Sequence, residues 1–115
     1  MKSPITTHVL DTMHGMPASG ITTTLEYRTT PGTWKELSRS KTGSDGRIMN
    51  FLPENFTLDK GVYRLTFFTD EYFRMAGSES FFPFITITFE VKDIAAHYHI
   101  PLLLSPFGYS TYRGS

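Results

Sequence analysis

The sequence predicts an all-β chain folded as a two-sheet β-sandwich of about eight short strands with one short helix. Three observations predict it. Apolar residues alternate with polar ones far more often than they recur at a helical period, as in Gly20 to Arg28, where Ile21, Thr23, Leu25 and Tyr27 interleave with Thr22, Thr24, Glu26 and Arg28. Threonine and aromatic residues, which suit a pleated and half-buried surface, are abundant, with aromatics at 15% of the chain. Glycine and proline turn signals separate the runs and leave no room for the helices that a parallel α/β sheet needs.

The first strand is Ile5 to Asp11, with Ile5, Thr7 and Val9 on one face and Thr6, His8 and Leu10 on the other. A turn-like loop, Thr12 to Ser19, leads to the second strand, Gly20 to Arg28. After the turn Thr29-Thr30-Pro31-Gly32, the polar run Thr33 to Ser40 suits an edge strand. Lys41 to Gly46 is a loop whose Asp45-Gly46 opens a short strand, Arg47 to Phe51. Pro53 to Lys60 connects to Gly61 to Thr69, which is apolar on both faces and reads as central. Asp70 to Ala76 is the helix, with Asp70 as its cap and Gly77 as its stop. Phe81 to Lys92 is the next strand, with Ile85, Ile87, Phe89 and Val91 against Phe84, Thr86, Thr88 and Glu90.

The chain closes on a hairpin, His97 to Ser115, turned by Ser105-Pro106-Phe107-Gly108. That turn sets a register. Leu104 faces Tyr109, Leu103 faces Ser110, Leu102 faces Thr111, Pro101 faces Tyr112, Ile100 faces Arg113 and His99 faces Gly114. One face then carries Tyr98, Ile100, Leu102, Leu104, Tyr109 and Thr111 and reads as core. The other carries His99, Pro101, Leu103, Ser110, Tyr112 and Gly114, an odd mixture for a plain solvent face and a natural one for a site.

At 115 residues the chain predicts a single domain, residues 1–115, with one core. Eleven basic and eleven acidic residues leave no net charge and no basic stripe, which argues against nucleic acid or an anionic membrane as partner. With no cysteine there is no disulfide, thiolate metal ligand or cysteine nucleophile. Met1-Lys2-Ser3-Pro4 runs straight into a strand, and no apolar run has signal-peptide or transmembrane length. The expected location is cytoplasmic, or peroxisomal or periplasmic if a targeting extension has been removed.

Histidine is the side chain that both takes and gives a proton near neutrality, and there are four: His8, His14, His97 and His99. Taken singly, each is most simply a surface or hydrogen-bonded histidine. His97 and His99 stand two apart on a strand and point the same way, a weak zinc signal for want of a third ligand. Nucleophile-elbow, P-loop and dinucleotide fingerprints are absent. Arg47, following a glycine turn, offers a guanidinium to a planar or anionic substrate, or is an ordinary strand-edge charge. Met13, Met16, Met49, Met75 and Trp34 read as core or loop packing.

These residues, taken together, resemble the transthyretin-related 5-hydroxyisourate hydrolases over essentially the whole chain. The resemblance rests on Ile5-Thr6-Thr7-His8-Val9-Leu10-Asp11, Gly15-Met16-Pro17-Ala18, Asp45-Gly46-Arg47, Gly61-Val62-Tyr63 and Phe82-Pro83-Phe84. It is most specific in His97-Tyr98-His99-Ile100-Pro101-Leu102-Leu103-Leu104-Ser105-Pro106 and the closing Tyr112-Arg113-Gly114-Ser115. It implies a transthyretin-like sandwich that hydrolyses 5-hydroxyisourate to 2-oxo-4-hydroxy-4-carboxy-5-ureidoimidazoline in urate degradation; with no thiolate and no clear third ligand, no metal and no cofactor are expected. It implies catalytic roles for His8, Arg47 and His99, a substrate-binding wall of Tyr112, Arg113, Gly114 and Ser115, and a homotetramer, a dimer of dimers with its sites in the channel between dimers. A carrier in the same fold is expected to lack the two histidines and the closing tetrapeptide.

Overall fold

Alternation becomes structure as nine strands and one helix in a computed structural model that describes residues 3–115. They are β1 (Ile5–Asp11), β2 (Met16–Pro17), β3 (Thr22–Thr30), β4 (Thr33–Lys41), β5 (Arg47–Ile48), β6 (Gly61–Phe67), α1 (Thr69–Met75), β7 (Ile85–Val91), β8 (Tyr98–Ser105) and β9 (Gly108–Thr111). One sheet runs β2-β1-β8-β9 with β5 also paired to β1, and the other runs β4-β3-β6-β7. The polar β4 lies at an edge and β6 in the interior, as their composition predicts.

The two sheets face each other across one apolar layer. Ile5, Thr7 and Val9 of β1 and Tyr98, Ile100, Leu102 and Leu104 of β8 meet Leu25 of β3, Tyr63, Leu65 and Phe67 of β6, and Ile85, Ile87 and Val91 of β7, all buried. The parity read from each strand therefore holds, because side chains on a pleated strand alternate whatever the strand pairs with. One pairing breaks the antiparallel pattern. β1 and β8 run parallel, aligning Thr6 with His99, His8 with Pro101 and Leu10 with Leu103. The return path between them is the whole second sheet, so no crossover helix is needed.

Several local expectations shift. The loop after β1 contains the two-residue β2, and the strand expected over Arg47 to Phe51 pairs only at Arg47–Ile48. The run from Phe81 becomes a strand only at Ile85, since Phe81 instead donates its N–H to Pro106 O at 2.8 Å. The helix begins at Thr69 with Phe68 at its cap position, so Asp70 lies one residue inside. There its carboxylate accepts from Arg74 at 2.9 Å and from Ser80 at 3.1 Å. Gly77 does stop the helix, at φ 76°, with its N–H on Arg74 O. Tyr109 and Thr111, expected in the core, are exposed because β9 ends its sheet and overhangs the layer. Met13, Met16 and Met75 are exposed as well.

Candidate active site

The outer face of the β5-β1-β8-β9 sheet gathers the chemistry. β5 sets Arg47 directly opposite His8, and β1 sets His8 beside Pro101 and Thr6 beside His99. His8 and His99 are therefore diagonal neighbours on adjacent parallel strands. The hairpin register holds through Leu102–Thr111, Leu103–Ser110 and Leu104–Tyr109. Past the last ladder pair the chain stays on course, with Gly114 N–H donating to His99 O at 2.8 Å. Thus Gly114 returns to the face that bears His99.

The Asp45-Gly46 turn delivers Arg47. Gly46 has φ 78°, and a Cβ there would stand 2.4 Å from Val9 O, so only glycine lets the loop close this tightly on β1. Val9 N–H donates to Gly46 O at 2.8 Å, and the Asp45 carboxylate accepts the Arg47 N–H at 3.0 Å. Among the described residues the Arg47 guanidinium has only a long 4.0 Å approach to that same carboxylate, and it is exposed. It is placed to meet a planar or anionic group.

Each of the two histidines, His8 and His99, has a neighbour at one of its ring nitrogens. His8 Nε2 lies 2.9 Å from Asp45 O, and a carbonyl can only accept, so Nε2 carries the hydrogen and Nδ1 is the basic nitrogen of the neutral ring. His99 Nδ1 lies 2.8 Å from the hydroxyl of Thr6, which is 0% exposed and also lies 3.1 Å from His97 Nε2. His97 and His99, which the sequence offers as a pair of zinc ligands, converge on this hydroxyl.

The closing tetrapeptide divides. Tyr112 is 59% exposed. Gly114 packs so closely that a Cβ on it would meet His99 Cδ2 at 2.6 Å and Pro101 Cγ at 3.1 Å. Ser115 is exposed beside it at the chain end. Arg113 turns to the other face, where its guanidinium stacks 4.6 Å over the Tyr98 ring and reaches His97 O at 3.5 Å. Those two contacts tie the chain end to the start of β8 and the residue before it.

Sequence reasoning left Thr6 as one polar residue among many. Its signal is that it shares β1 parity with His8, but its partners lie more than ninety residues away. A second polar cluster also escaped notice, at Asp11, the end of β1. Its buried carboxylate accepts from Tyr72 at 2.6 Å and pairs with His14 Nδ1 at 2.7 Å, fastening the loop after β1 to α1. Burial pushes the Asp11 carboxyl up, but hydrogen bonds from Tyr72 and His14 outweigh it and hold the group below its ordinary value. Burial and that same carboxylate push the Tyr72 phenol well above its own.

Residues 5–114 match the model of the HIUase/Transthyretin family. A 5-hydroxyisourate hydrolase of Mus musculus is 43% identical over 114 residues, covering 98% of this chain and 96% of that protein. The solved 5-hydroxyisourate hydrolase of Klebsiella pneumoniae has a TM-score of 0.83 at 39% identity, covering 96% of this chain and 98% of that one. Sea bream transthyretin, solved with thyroxine, has a TM-score of 0.88 at 32% identity, covering 96% and 94%. The transthyretin fits the backbone at least as well as the hydrolase, so the fold leaves the chemistry open and the residues on the site face must decide it.

Proposed function

The chain belongs to the HIUase/Transthyretin family and is a hydrolase of purine degradation, and from that premise we propose that its substrate is 5-hydroxyisourate, whose ring it opens with His8, Arg47 and His99. The observation that carries this reading is the register of β5, β1 and β8, which sets those three side chains on one face beside the closing tetrapeptide.

Hydrolysis of an amide-like carbon–nitrogen bond needs a base for water, a charge to steady the developing oxyanion and a proton for the leaving nitrogen. In this reading His99 takes a proton from water at Nε2 as the water oxygen bonds to the ring carbon. Arg47 steadies the negative charge on the carbonyl oxygen. As the carbon–nitrogen bond breaks, protonated His8 gives its Nδ1 hydrogen to the nitrogen, while its Nε2–H stays on Asp45 O. Tyr112 and Ser115 line the substrate, and Arg113 holds the last strand in place from behind.

The reading includes a homotetramer. β7 and β9 end their respective sheets, and a cleft of about 250 Å³ lined by Phe89, Tyr98, Tyr112 and Arg113 runs between them. Two copies joined along these edges, and two such dimers laid face to face, enclose the polar face in a channel.

The test is direct. Fresh 5-hydroxyisourate, generated by urate oxidase, is expected to lose its ultraviolet absorbance faster with the protein than without it. An unchanged spontaneous rate would overturn the reading and favour a ligand carrier in the same sandwich. His8→Asn and His99→Asn are each expected to lower kcat by about 10²–10⁴-fold with the assembly intact. Near-native rates in both would remove them from the mechanism.

A further inference from the structure

We propose that Asp45 is a positioning residue whose carboxylate takes the Arg47 N–H in place of the guanidinium, which anchors Arg47 opposite His8 and leaves its charged head open to substrate. The inference rests on Arg47 meeting the substrate, as read above. It starts from a contrast among the arginines. Arg39 donates to Glu36 at 3.0 and 3.3 Å, Arg64 to Glu26 at 2.8 and 3.1 Å, and Arg74 to Asp70 at 2.9 Å. Those guanidinium groups are committed to carboxylates. Arg47 also has a carboxylate beside it, yet its Nε stands 4.0 Å from Asp45 Oδ2, beyond hydrogen-bond length.

The reason lies in the turn. Asp45 Oδ1 accepts the N–H of Arg47, two residues on, at 3.0 Å, the bond by which an aspartate closes a tight turn on its own backbone. The aspartate arm is short, so a carboxylate spent on that N–H stands off the guanidinium instead of closing a fork on it. The loop holds it there. Gly46 N–H donates to Gly43 O at 2.9 Å and Gly43 N–H to Arg47 O at 3.0 Å. A Cβ on Gly43 would lie 3.2 Å from Asp45 Oδ1, so the glycine leaves the carboxylate its room.

The same residue reaches the other side of the site. Asp45 O lies 2.9 Å from His8 Nε2, and His8 is the partner of Arg47 in the pairing of β1 with β5. β5 is only two residues long, so its ladder alone holds Arg47 weakly. Asp45 therefore touches both, His8 through its carbonyl and Arg47 through its carboxylate. What the site takes from the Asp45 side chain is an oxygen at the right reach, not its charge.

Three variants of the full chain and one spectroscopic measurement test this. Asp45→Asn keeps an oxygen for the Arg47 N–H without the charge, and is expected to retain most of kcat for 5-hydroxyisourate. Asp45→Ala loses the acceptor and is expected to lower kcat by about 10–100-fold with KM within about threefold, since Arg47 is then misplaced where charge develops. Asp45→Glu has the arm to reach the guanidinium, as Glu36 reaches Arg39, and is expected to turn over no faster than Asp45→Ala. Nitrogen-15 spectra of the arginine side chains report how fast each guanidinium rotates. Native Arg47 is expected to rotate faster than Arg39, and in Asp45→Glu to slow toward it. Asp45 is 64% exposed, so all three variants are expected to melt within a few degrees of native; should Asp45→Ala melt far below, Asp45→Asn against Asp45→Glu decides alone. Asp45→Asn as slow as Asp45→Ala, Asp45→Glu as fast as native, or a native Arg47 rotating as slowly as Arg39 overturns the proposal. If the native protein does not hydrolyse 5-hydroxyisourate, the substrate assignment falls, while the rotation of Arg47 in the native and Asp45→Glu proteins still tells whether Asp45 keeps the guanidinium open.

Discussion

Gly114→Ala isolates the close fit between the chain end and the His99 ring. Gly114 is not among the positive-φ glycines, so alanine can take up its backbone conformation without strain and the whole effect comes from one methyl group. That methyl would stand 2.6 Å from His99 Cδ2 and 3.1 Å from Pro101 Cγ, against ordinary contacts that begin near 3.4 Å. Ring and chain end must separate by about 0.8 Å. Pro101 is locked in β8, so either the His99 ring tilts or the last residues swing out and strain the Gly114 N–H bond to His99 O. Each outcome disturbs the constellation. A displacement near 1 Å costs about 100-fold in turnover, or about 2.7 kcal/mol of barrier. Losing the one hydrogen bond costs stability no more than about 1.5 kcal/mol. Initial rates on fresh 5-hydroxyisourate, with a thermal melt and a size measurement on the same sample, separate the two. Turnover within twofold of native, with an unchanged melt, would refute this account of the terminal glycine.

Other perturbations address the parts that bring the site together. Deleting Tyr112 to Ser115 is expected to abolish more than about 99% of turnover while the melting temperature falls by only a few degrees, because β9 itself ends at Thr111; chromatography and melts check that a folded protein remains. Gly46→Ala places a Cβ 2.4 Å from Val9 O in a left-handed conformation, and is expected to cost about 1–3 kcal/mol by urea unfolding and to lower turnover through Arg47 and His8. Asp11 has its folded value depressed, so its contribution to stability is complete above about pH 4 and is lost as pH falls through that lowered value. Asp11→Asn is expected to be less stable at neutral pH and to lose less between about pH 5 and pH 2, and parallel acid-unfolding curves for the two proteins would contradict this.

What the residues settle by themselves is whatever depends on strand parity. The inward faces of β1, β3, β6, β7 and β8, the register of the closing hairpin and the outward direction of His8 and His99 all follow from a two-residue period that is a property of the local backbone. Gly46 and the Asp45 turn are legible for the same reason, since a positive φ is a local demand. Which strands lie side by side is another matter. Nothing near Thr6 announces that β1 will run parallel to β8, so the buried hydroxyl between His97 and His99 is invisible until distant segments pair. The same limit explains Tyr109, whose alternation points inward but whose strand overhangs the sheet edge, and Arg113, which shares a tetrapeptide with Tyr112 yet stacks on Tyr98 behind the site. Direction along a strand is decided by covalent geometry, residue by residue. Neighbours across strands are decided by which apolar faces bury one another once the whole chain has closed, and the candidate site face, assembled from both ends of the sequence, is a product of that second choice.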